Sequence, residues 1–80
     1  MSLFSAIGKG LARHANDKHA EHQRKKAKKN AYKKTGKEMD RANKNGKYIN
    51  GSQTYKNNLN EENRKIKAQH KRNENFINDL

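Results

Sequence analysis

Between residues 24 and 37 the chain reads RKKAKKNAYKKTGK, with eight cations and no acidic residue: Arg24, Lys25, Lys26, Lys28, Lys29, Lys33, Lys34 and Lys37. The chemistry this density suits is neutralisation of phosphates, because Lys and Arg that pair with a polyanion release its condensed counterions. As a helix the fourteen residues span about 21 Å at 1.5 Å per residue. Duplex DNA presents one phosphate per ~1.7 Å of axis, so roughly a dozen phosphates lie within reach. Like charges three and four apart repel along a helix, so the free segment is expected to be frayed or disordered and to become helical only when a polyanion neutralises it. The cations project in nearly every direction, with no apolar face expected to remain, and Thr35-Gly36 reads as a helix stop with Gly at C′. Tyr32, Tyr48 and Tyr55 alternate with Lys33, Lys47 and Lys56, a pattern suited to stacking on unpaired bases; ordinary packing is the alternative. A solubilising or localisation-type basic run is the bland reading of the same cations.

Other chemistry finds little support. Ser2, Ser5 and Ser52 have no nucleophile-elbow context, and the sequence contains neither a Gly-rich phosphate loop nor an HExxH pattern. His14, His19 and His22, with Asp17 and Glu21 nearby, are the only cluster resembling metal ligands, and the chain has no Cys to supply thiolates. The expectation is a protein without catalytic residues, metal or cofactor. Base readout needs a rigid reading element, so phosphate binding is expected to be indifferent to sequence.

The elements that must carry these cations have little apolar material. Net charge is +12 over 80 residues. Leu, Ile and Phe together number ten and Val is absent, which falls under the ~20% level typical of chains that pack a core. Asn, a residue of caps and turns, occurs twelve times. The fold expected is mostly α: extended helices with a central turn or short hairpin, little or no autonomous core, and order supplied by an assembly. No apolar run approaches the ~18 residues of a membrane span. The first eleven residues lack the basic, apolar and cleavage regions of a secretory signal.

Four stretches follow. Residues 1–15 predict an amphipathic helix, with Ser2 as N-cap and Leu3, Phe4, Ile7, Leu11 and Ala15 on one arc of about 120°. That arc suits docking on protein, or lying in a membrane interface. Residues 16–37 are the basic helical segment. Residues 38–57 form a turn region, in which EMDRANKN extends to a helix end at Gly46 and Asn50-Gly51, between Tyr48-Ile49 and Thr54-Tyr55, predicts a β-hairpin turn. Residues 58–80 predict a second amphipathic helix, N-capped by Asn58 with Glu61 at N3. Leu59, Ile66, Phe76, Ile77 and Leu80 share one of its faces and are expected to dock on protein.

The opening SLFSAIGKGLA resembles the amphipathic starts of small bacteriophage structural and DNA-pilot proteins. The Lys-rich centre is similar in composition to small basic genome-binding proteins of virions. The shortest of those are commonly Arg- or Pro-rich and coil-like, whereas this chain has no Pro and clear helix signals. The resemblance implies a non-enzymatic virion component between a capsid or portal protein and nucleic acid, located in the virion or host cytoplasm. A ribosome-associated RNA-binding protein, a membrane-interacting amphipathic protein and a pure scaffold or interface protein are the alternatives.

Overall fold

The computed structural model describes residues 3–80, with side chains described from Ile7 onward. Two helices account for nearly all of it, α1 (Leu3–Lys44, 42 residues) and α2 (Gly51–Asn78, 28 residues), and the described residues contain no strand. They fold back on each other as an antiparallel αα-hairpin measuring 64 × 16 × 14 Å. The mostly α, extended architecture expected from composition is the one observed.

The two helices meet through small residues. Ala20, Ala27 and Ala31 are buried on α1, and Ala31 is fully covered at 0% exposure. Ala20, Ala31 and Ala42 recur at intervals of eleven residues, as do Asn16, Ala27 and Glu38, and all six are buried or half-buried. Eleven residues in three turns is about 3.67 per turn, close to the natural helix, so this seam stays on one face with little supercoiling. α2 answers with Tyr55, Asn58, Leu59, Glu62, Ile66, His70, Asn73 and Ile77, spaced three and four apart. Small side chains let two backbones approach closely. Ile77 is the only large apolar side chain buried among the described residues.

Polar bonds stitch the same seam. Asn16 donates its amide to the His70 carbonyl at 3.1 Å and accepts from the Asn73 amide at 3.0 Å. Asn58 donates to Thr35 Oγ1 at 3.1 Å, and that hydroxyl in turn donates to the Ala31 carbonyl at 2.7 Å. Lys9 Nζ donates to the Asn78 carbonyl at 3.3 Å, and Arg13 to Asn78 Oδ1 at 2.8 Å. α2 has no basic residue in its own last turn. These two α1 cations therefore satisfy the negative end of its dipole. No buried side-chain N or O among the described residues lacks a hydrogen-bond partner, as a polar interface requires if it is not to lose stability.

The connection is closed by local chemistry at both ends. Gly46 adopts φ +68. Its N–H bonds to the Asn43 carbonyl at 3.1 Å, and the Lys47 N–H reaches the Ala42 carbonyl at 2.8 Å. That pair of bonds is a Schellman stop, and it sits at the Gly46 end expected from the sequence. Asn50 then caps α2, its side chain accepting from the Gln53 N–H at 3.1 Å.

Three local expectations are corrected. Gly36 does not end α1: the following KEMDRANK are strong helix formers with no Pro, and Thr35 is tied across the seam to Asn58. Asn50-Gly51 does not make a β-turn, because the residues after it bury with helical rather than alternating spacing, and Asn serves as well for an N-cap as for a turn. Asn58 is not a cap but a buried mid-helix residue at 8% exposure. The segment boundaries at residues 15/16, 37/38 and 57/58 accordingly fall inside continuous helices.

Candidate nucleic-acid interface

The alanine seam decides which way the cations point. Measured at about 100° per residue from Ala27, the side chains of Lys28, Lys25, Lys29, Lys33, Lys26 and Lys37 fan from about 100° to about 280°. That is the half-circumference turned away from α2. Arg24 and Lys34 flank the seam. All eight are exposed, and none lies within ion-pair distance of a carboxylate among the described residues. The expectation that no apolar face remains in this stretch is therefore overturned. Ala27, Ala31 and Thr35 provide a narrow one, too small in side-chain size to register as apolar against so many lysines. The cations form the outer face of a packed helix.

The acids sit elsewhere. α1 carries none between Glu21 and Glu38. On α2, Glu61 bonds Arg64 at 2.7 Å. The Arg64 guanidinium holds the Glu61 carboxyl below its usual range, first through that hydrogen bond and then through its charge, with Lys65 and Lys34 adding smaller attractions. The Arg64 pKa is raised by the same bond. Lys34 therefore senses a carboxylate across the seam, while the six fanned lysines face solvent.

Beside this cationic face lies an open groove of about 420 Å³, lined by Tyr32, Thr35, Gly36, Met39, Gly51, Ser52 and Tyr55. A second recess shares Tyr32 and Tyr55 and adds Lys28, Lys29 and Lys33. Tyr32 is 76% exposed, whereas Tyr48 projects from the connection at 89% exposure, apart from the groove. Two of the three tyrosines are thus brought together beside cations. Sequence spacing makes Gly36 and Met39 neighbours on α1 but does not bring Ser52 to them, because α2 reaches them only once the chain folds back.

The apolar residues expected to dock on protein divide. Leu3 and Phe4 have side chains outside the described residues. Ile7 and Leu11 stay exposed at 52% and 67%, because α1 meets α2 through Lys9, Ala12 and Asn16 instead. On α2, Ile77 is buried and Leu59 and Ile66 half-buried against α1, while Phe76 and Leu80 remain exposed at 69% and 61%. Ala12, Ala15, Phe76 and Ile77 line a shared groove at this open end.

His14, His19 and His22 do not converge on a ligand set. The group that does converge is Asp17, His70 and Glu74, whose candidate ligand atoms lie within 4.8 Å of one another. Asp17 addresses His70 Nε2 at 2.7 Å and Glu74 addresses Nδ1 at 3.7 Å. Asp17 and His70 link the two helices, and Glu74 lies one turn from His70 on α2. No signal in the sequence pairs Asp17 with His70, 53 positions apart.

Comparison with known proteins finds no matching family model, no curated protein of similar sequence and no similar solved structure. No described helix is long and apolar enough to cross a membrane.

Proposed function

We propose that this protein is a non-enzymatic structural component of a nucleoprotein assembly, neutralising nucleic-acid phosphates with the outer face of α1. The observation that carries this reading is the fan of Lys25, Lys26, Lys28, Lys29, Lys33 and Lys37 over the half of α1 opposite the seam, with no acid on that stretch. Surface cations normally alternate with carboxylates, and a single-sign face of this extent raises the local concentration of polyanions. Six to eight phosphates are engaged, on duplex DNA or RNA alike and without base preference. The exposed Ile7, Leu11, Phe76 and Leu80 at the open end give a larger protein a place to hold it. The resemblance of the opening stretch to phage virion proteins supplies the setting, a capsid or portal facing packaged nucleic acid. Repulsion along α1 is offset by a seam with few large apolar side chains, so the assembly contributes to order and helicity rises when polyanion is added.

Titration of the free protein against unrelated duplex DNA and RNA sequences over a range of salt tests the reading. The log–log slope is about −5 to −7 for six to eight phosphates, with little difference between sequences. Affinity that stays flat from low to physiological salt removes the proposal.

A further inference from the structure

We propose that the groove between Tyr32 and Tyr55 takes one unpaired nucleobase of a single-stranded nucleic acid, with the phosphates flanking that base held by Lys28, Lys29 and Lys33. This rests on the phosphate-binding reading above and names the strand form that the same face prefers.

Three observations converge on that occupant. The first is the wall. Tyr32, 76% exposed, lines the groove together with Tyr55 and Met39. An aromatic face left in water beside cations matches the platform on which bases of single strands stack. The second is Gly36, which lines the groove. Gly36 lies in the interior of α1, where a glycine weakens a helix relative to alanine, yet a methyl group there would meet nothing within 4 Å. Packing within the chain therefore does not require Gly36, whereas a flat ring seated on backbone does. The third is charge. Lys28, Lys29 and Lys33 border Tyr32 and Tyr55 in the adjoining recess, placing cations where the sugar-phosphate chain must run if its base enters the groove. A neutral peptide or an acyl chain accounts for an apolar wall, but not for the three lysines that border it.

A duplex keeps its bases stacked and reaches only the lysines; a single strand reaches both lysines and groove. The test uses the full chain and three probes: a thymidine 20-mer, a 20-base-pair duplex and inorganic polyphosphate, all at one salt concentration. The chain has three Tyr and no Trp, so with Tyr48→Phe removing the one outside the groove, tyrosine fluorescence reports Tyr32 and Tyr55, and it is quenched by the 20-mer and not by polyphosphate. Tyr32→Ala with Tyr55→Ala lowers affinity for the single strand roughly 10- to 100-fold, the range of losing one base–aromatic stack. Affinity for duplex and polyphosphate then changes by less than about twofold, because no phosphate contact is removed. Tyr32→Phe with Tyr55→Phe restores single-strand binding. Gly36→Leu adds a side chain to the groove lining with both tyrosines and all lysines in place; it lowers single-strand affinity alone while raising helicity, which excludes misfolding as the cause. Loss of affinity for all three probes together, or unchanged single-strand affinity in the alanine and leucine variants, overturns the groove assignment and leaves the phosphate reading standing. Failure of the unmodified protein to bind any of the three overturns both.

Discussion

The two ends of the hairpin are held by different physics. At the open end the helices are tied by directional bonds from Lys9, Arg13, Asn16 and Asp17 to Asn78, Asn73 and His70. At the turn end the contact is Ala31 at 0% exposure, the Thr35–Asn58 pair and Met39 set against Gly51. A short connection already holds the turn end together, so close packing of small groups suffices there. The open end lies far from that connection and depends on hydrogen bonds that fix register. The difference also separates tasks. The cationic fan and the tyrosine groove lie toward the turn, and the exposed Ile7, Leu11, Phe76 and Leu80 lie at the open end.

Ala31→Leu at the turn end breaks this contrast most severely. With no free space around residue 31, the helices must move apart, at about 3 kcal/mol, the upper part of the range for overpacking. Loss of helical circular dichroism at lower urea concentration measures it. Asn16→Ala at the open end leaves the Asn73 amide without its partner and removes the cross-helix bond to the His70 carbonyl, and costs about 2 kcal/mol by the same measurement. The damage also differs in place. Hydrogen exchange accelerates near Asn73 and Ile77 in Asn16→Ala, while amides around Thr35 and Asn58 keep their protection. Uniform loss of protection in both variants removes the distinction between the ends.

Gly46→Ala is smaller, about 1 kcal/mol, because a Cβ is strained at φ +68 although nothing crowds it. Smallest is the pH effect of Glu61. Its folded-state pKa is lowered by Arg64 below the ordinary 4.5, so its contribution is present above that value and lost as pH falls through the lowered one. Helicity of the unmodified chain and of Glu61→Gln therefore differ near neutrality and converge in acid below the usual carboxylate range. Convergence on the alkaline side contradicts the assignment.

Much of the architecture is legible in the sequence, and the misses have physical causes. Helix content follows from Ala, Lys, Arg and Glu without Pro, and Gly46 marks the end of α1 because an αL stop there needs glycine. The stop expected at Gly36 and the β-turn expected at Asn50-Gly51 fail for one reason: local residue preference is outweighed by a seam that runs along α2 from Tyr55 to Ile77. That seam was readable in Ala20, Ala31 and Ala42, eleven apart, but alanine carries so little hydropathy that the pattern vanishes beside lysine. The eight cations were legible by type. Their exposure on one side of α1 was not, because it depends on α2 covering the other. The groove is a product of the fold alone, joining Gly36 and Met39 to Ser52 and Tyr55 across the turn.

The central claim is that the outer face of α1, and not net charge as such, binds phosphate. Its most direct test compares salt slopes for duplex DNA between two charge-matched variants. One carries Lys25, Lys26, Lys28 and Lys29 changed to Gln; the other carries Lys56, Lys65, Lys67 and Lys71 changed to Gln on α2. Removing four phosphate contacts flattens the log–log slope by about 3.6 in the α1 variant, while the α2 variant stays within about one of the unmodified protein. Equal flattening in the two variants contradicts the account.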